Sequence, residues 1–119
     1  MIKSQEPLDG VFKALGDQAR RAMLVRLCQG EATLGELARP LAMSVPAVHQ
    51  HLAVLQDAGL VVSEKRGRER WCRLEVRALG RAETWIAERR SAWERRLDAL
   101  GKFLAQERSG GRKKRRKRE

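Results

Sequence analysis

This sequence predicts a mainly α fold with a small β-hairpin, and three observations carry the prediction. Short segments with a helical apolar period fill residues 8–58, an arginine-rich hairpin pattern centred on a glycine occupies 60–75, and a long segment from residue 77 repeats apolar residues every seven positions. The 119 residues suit one domain, and no apolar run is long enough to span a membrane.

The elements follow from local chemistry. Leu8, Val11, Phe12 and Leu15 share one face of a first helix that Gly16 ends. Asp17 caps a second helix with Met23, Leu24 and Leu27 as its apolar stripe, closed at Gly30. Thr33 and Glu36 have capping-box spacing, so a third helix opens there and is expected to stop at Arg39, before Pro40. Ser44 caps a fourth helix, 44–58, with Pro46 in its first turn and Gly59 just beyond its end. Leu60–Arg66 and Glu69–Glu75 then read as two strands around Gly67. A long helix is expected from about Arg77 to about Glu107, followed by a Ser109-Gly110-Gly111 linker and a disordered basic tail. Residues 1–107 form the domain and 108–119 the tail. Two short helices joined by a tight turn and followed by a basic hairpin make a winged helix-turn-helix.

Helical spacing divides the fourth helix into two sides. Val48, Leu52 and Leu55 form a core stripe that His51 borders, so His51 reads as a packed, hydrogen-bonded side chain. Pro46, His49, Gln50 and Ala53 point away from it, near the helix start that would enter a major groove together with Val45 and Ala47. Gln50 can pair with adenine, His49 can donate to guanine or phosphate, and Ala53 can touch a thymine methyl; the competing reading is solvated surface. Thr33 and Ser44 sit at helix starts that favour a phosphate, although capping alone accounts for both hydroxyls. Lys65, Arg66, Arg68, Arg70 and Arg73 crowd the hairpin. Arg66 and Arg68, with Arg70, are candidates for an A·T-rich minor groove; the alternative is a charged hairpin that discourages edge pairing. Glu64 and Glu69 can pair with some of these arginines, and Cys72 reads as a small core residue.

In the long helix Leu79, Ile86, Trp93 and Leu100 are spaced by seven, with Leu97 and Leu104 as a second row. One winged domain cannot cover such a stripe, so a second copy of the chain is expected on it; packing within its own domain is the alternative. Trp85 and Phe103 widen the apolar surface.

Net charge is +11, and without the seven basic residues 112–118 and Glu119 the rest still carries +5. A basic body with a basic tail implies a polyanionic partner, with nucleic acid ahead of a membrane. Two isolated cysteines, Cys28 and Cys72, build no disulfide framework, and no apolar signal segment follows Lys3; both point to a cytoplasmic chain. Cys28, His49, His51 and Cys72 lack ligand spacing within any one element, so neither a metal nor another cofactor is expected. No nucleophile–base pair or phosphate loop suggests an enzyme. A general RNA- or DNA-binding protein driven by the tail is the alternative to a sequence-specific one.

Phe12–Arg21, Gly35–Ala38 and above all Ser44–Val61 resemble the ArsR-type (arsenic-repressor-like) winged-helix regulators of bacteria, over about residues 8–107. The resemblance implies a homodimer that binds an inverted-repeat operator on double-stranded DNA and represses transcription. It also implies a dimer interface from the first and last helices, here Leu8, Val11, Phe12 and the Leu79–Leu104 stripe. Arg20 matches a position that supports the fold or meets the DNA backbone. Metal-sensing members carry a Cys-x-Cys box in the third helix, where this chain reads Leu34–Arg39, or histidines on the last helix, where it has none. The resemblance is to the metal-independent branch, with no inducer implied.

Overall fold

The computed structural model describes residues 6–118, with side chains described from Pro7 to Gly110. The order is α1 (Glu6–Leu15), α2 (Gln18–Leu27), β1 (Ala32–Thr33), α3 (Leu34–Leu41), α4 (Val45–Asp57), β2 (Val61–Arg66), β3 (Glu69–Leu74) and α5 (Val76–Arg118). This is a winged helix-turn-helix with a long last helix.

Side-chain caps set three of the helix starts. Asp17 Oδ1 accepts the Arg20 backbone N–H at 3.1 Å, and Ser44 Oγ accepts that of Ala47 at 3.3 Å. Thr33 Oγ1 accepts the Glu36 backbone N–H at 3.2 Å and its hydroxyl donates to the Glu36 carboxylate, also at 3.2 Å. Each cap satisfies one backbone donor that the first helical turn leaves unpaired.

The third helix corrects one expectation: it continues through Pro40 to Leu41. A proline so near the end removes one backbone hydrogen bond from the last turn and none from the turns before it. Ala42 then adopts a left-handed conformation, φ 52°, and its N–H returns to the carbonyls of Ala38 and Arg39. That tight reversal places α4 directly after α3.

The sheet gains a strand that the sequence reading omitted. Ala32 and Thr33 pair with Cys72 and Trp71, giving three antiparallel strands in the order β1-β3-β2. In the hairpin Arg66 pairs with Glu69, so Gly67 and Arg68 are the two turn residues. Gly67 has φ +62°, which a two-residue hairpin turn requires at its first position when the second stays negative.

The core lies where α1–α4 meet the inner side of the sheet. Met23, Leu37, Val48, Leu52, Leu55 and Leu60 are almost wholly buried, and Cys72 and Val61 close it from the strands. Val11, expected at a dimer interface, is sealed in this core at 0% exposure and has no surface to offer a second chain. Leu8, Phe12 and Leu79 are half-buried against the same cluster.

The described residues divide after Glu83 into two compact units. Ala78 and Ala82, at the start of α5, belong to the core of the first. In the second, Ile86, Trp93, Leu97, Leu100, Phe103 and Leu104 are all about half exposed. The helix runs through Ser109 and Gly110, where the sequence suggests a linker. Glycine costs a helix about 1 kcal/mol relative to alanine, which weakens it without forbidding it. The side chains of the basic run 112–118 lie outside the described residues. Among the described residues no helix is long and apolar enough to cross a membrane.

Candidate nucleic-acid interface

The helix α4 presents two chemically distinct sides. Val48, Leu52 and Leu55 are at 0% exposure and fix its rotation on the core. The same packing leaves Pro46, His49 and Gln50 exposed, and neither the His49 nor the Gln50 side chain makes a hydrogen bond among the described residues. Val45 is 47% exposed at the first turn, whereas Ala47 and Ala53 are half-buried at the edges of this side. Unengaged donors and acceptors on a rigid helix are what base-edge recognition needs.

The rear of α4 is anchored by polar contacts. His51 is half-buried, with Nδ1 at 3.5 Å from an Arg20 guanidinium nitrogen and 3.9 Å from Asp17 Oδ1. Arg20 Nε donates to the Ala14 carbonyl at 2.7 Å and NH2 to the Lys13 carbonyl at 2.8 Å. It therefore ties the end of α1 to the start of α2, a fold-supporting role. The Arg20 backbone N–H holds the Asp17 carboxyl below the usual carboxylate range; desolvation opposes it, and the Arg20 charge adds a smaller lowering.

Of the two capping hydroxyls, Thr33 is committed in both directions within its capping box. Ser44 is exposed and uses one acceptor position. The structure thus leaves Ser44 open to a further contact and ties Thr33 into its own helix.

The hairpin arginines divide by face. Cross-strand partners share a face, so Ser63, Lys65, Arg70 and Cys72 lie on one side of β2–β3 and Glu64, Arg66, Glu69, Trp71 and Arg73 on the other. On the first, the Ser63 hydroxyl accepts from Gln56 Nε2 at 2.7 Å and from Arg70 NH1 at 3.0 Å, which links the wing to the end of α4. On the second, Arg66 donates to Glu31 at 2.9 and 3.2 Å and also to Glu64. Its guanidinium lies 5.5 Å from the Trp71 ring centroid. The two carboxylates raise the Arg66 pKa further, and the Arg66 hydrogen bond lowers that of Glu31. Arg68, in the turn itself, is exposed and makes no hydrogen bond or ion pair among the described residues. The three arginines singled out from sequence therefore stand in three different situations. Glu31, Gln56 and Ser63 were missed, because a contact across many residues leaves no local sequence signal.

Cys28 is exposed at the end of α2. Cys72 is buried, and burial pushes its thiol pKa up. Among the described residues no three His, Cys, Asp or Glu side chains converge as metal ligands.

Residues 17–63, from the Asp17 cap into β2, match the family described as "Bacterial regulatory protein, arsR family". The chain is 37% identical over 99 residues to the HTH-type transcriptional regulator Rv2034 of Mycobacterium tuberculosis, covering 83% of this chain and 90% of that protein. It is 29% identical over 102 residues to the arsenical resistance operon repressor of Escherichia coli, covering 85% and 87%. A crystal structure of an ArsR family transcriptional regulator superposes with a TM-score of 0.73 at 41% identity, over 79% of this chain and 97% of that one. The chain is thus a DNA-binding transcriptional regulator and belongs to the ArsR family of bacterial regulatory proteins.

Proposed function

We propose that this regulator represses transcription from the cytoplasm as a homodimer on an inverted-repeat operator, with α4 in the major groove and the wing near the minor groove. One observation carries the reading. The start of α4 exposes His49 and Gln50 with no partner among the described residues, while Val48, Leu52 and Leu55 lock the helix behind them. Gln50 is assigned to a base edge, His49 to a base or phosphate, and Ala53 to an apolar contact at the groove wall. Val45, Pro46 and Ala47 fill the helix entry, and Ser44 offers its hydroxyl to a phosphate. Thr33 lies at the start of the preceding helix, with its hydroxyl in use for capping.

Arg68 at the wing tip and Arg70 beside Ser63 supply positive charge to the DNA. The second copy covers the α5 face of Ile86, Trp93, Leu97, Leu100 and Leu104, each about half exposed in the single chain. A soluble helix does not leave such a surface in water without cause. Repression is the direction named for the Escherichia coli relative. Operator binding is read as independent of metal, since Leu34–Arg39 carries no thiol and the last helix no histidine.

The seven basic residues 112–118 favour a second reading, general binding to RNA or bulk DNA. Selection of sites from random duplex DNA by the purified full chain separates the two. Recovery of an inverted repeat supports the operator reading, and recovery of no common sequence supports the general one.

A further inference from the structure

The outer face of the wing holds a charged cluster that the operator reading does not use. Arg66, at the end of β2, folds back over the sheet instead of reaching past the tip. Two of its nitrogens engage both oxygens of Glu31, Nε donates to Glu64, and the guanidinium lies over Trp71. A planar fork on one carboxylate, with its remaining edge on another and an aromatic ring beneath, fixes this side chain in one orientation. Glu31 stands just before β1, so the contact joins the wing to the segment that leads through β1 into α3. Gln56 and Ser63 join the opposite face to the second helix.

A phosphate contact would have to strip Arg66 from both carboxylates. It would also leave two uncompensated negative charges beside a polyanion, which is electrostatically unfavourable. By contrast, Arg68 sits in the turn with no such partners.

We propose that Arg66 is a positioning residue and not a DNA ligand: with Glu31 and Glu64 it clamps the wing against the β1–α3 segment, so that Arg68 is presented to the DNA. The proposal rests on the operator reading. It makes an unusual demand, since neutralising an acidic residue of a DNA-binding protein ordinarily tightens binding.

The test uses the full chain on two duplexes of equal length, one carrying the site recovered by selection and one of random sequence. Affinities are measured across salt for wild type, Glu31→Gln, Arg66→Gln and Arg68→Gln, with thermal melts to establish folding. Glu31→Gln is expected to weaken binding to the selected site about fivefold, the scale of a good exposed ion pair, with an unchanged log–log salt slope. Arg66→Gln should do the same, whereas Arg68→Gln should flatten the slope by about 0.9, the signature of one lost phosphate contact. Tighter or unchanged binding by Glu31→Gln overturns the clamp, as does a flattened slope for Arg66→Gln. A wild-type chain that selects no site overturns the operator reading itself, and the clamp with it.

Discussion

Arg20 and Ala14 are joined by a 2.7 Å hydrogen bond from the guanidinium Nε to the backbone carbonyl, across the turn between α1 and α2. The same side chain reaches the Lys13 carbonyl and approaches His51 in α4. One arginine thereby holds the end of α1 and supports the rear of the proposed recognition helix. Hydrogen bonds from a charged donor contribute roughly 1.5–3 kcal/mol each when lost from a part-buried site. Arg20→Ala is expected to destabilise the fold by an amount in that range. Urea denaturation measures it, and an unchanged midpoint would remove Arg20 from the fold-supporting role.

The Asp17 cap makes a second prediction, in pH. The folded carboxyl titrates below its ordinary value, chiefly because it accepts the Arg20 backbone N–H. A depressed carboxylate contributes stability that is present above the unfolded value, about 4, and lost as pH falls through the folded one. Denaturation midpoints should therefore fall between pH 6 and pH 3. Asp17→Asn, which still caps but cannot ionise, should fall less over the same interval. Glu31, also lowered by its arginine partner, adds to the common loss in both proteins.

The α5 face predicts assembly. Trp93 is 57% exposed, and Ile86, Leu97 and Leu100 lie about half exposed along the same stripe. The full chain should be dimeric at micromolar concentration. Trp93→Ala should weaken the dimer by roughly 3–5 kcal/mol if the indole is buried in the seam and the cavity stays open. Sedimentation equilibrium reads both quantities. A monomeric wild type, or a variant that dimerises as tightly, would show that another surface or no surface is used.

Local chemistry made most of the architecture legible from sequence. Asp17, Thr33 and Ser44 are caps because their side-chain oxygens meet the N–H three residues on, a rule that needs no tertiary context. Gly67 marked the hairpin turn, and the stripe of Val48, Leu52 and Leu55 fixed the rotation of α4, hence the outward placement of Gln50. What escaped depended on distance or on end effects. Two residues of β1 are too short to show a strand period and form only because β3 offers an edge. Pro40 signals a helix stop, yet it costs little in a final turn. Val11 fits an amphipathic stripe equally well whether that stripe meets its own core or a partner, and burial assigns it to the core. The contact of Arg66 with Glu31, 35 residues earlier, leaves no local signal that would set it apart from the other wing arginines.

The central claim is that α4 reads sequence while the wing and the basic run 112–118 supply mainly charge. Binding across salt concentrations, for wild type, Gln50→Ala and a chain ending at Gly111, on selected and random duplexes, tests it most directly. Gln50→Ala should lose about 1–3 kcal/mol on the selected site and little on random DNA, because a bidentate base contact discriminates by that amount. The truncated chain should weaken on both duplexes, with its salt slope flattened by about 0.9 for each phosphate contact removed. Equal weakening of both duplexes by Gln50→Ala would contradict sequence reading by α4, and an unchanged slope in the truncated chain would contradict the role given to the basic run.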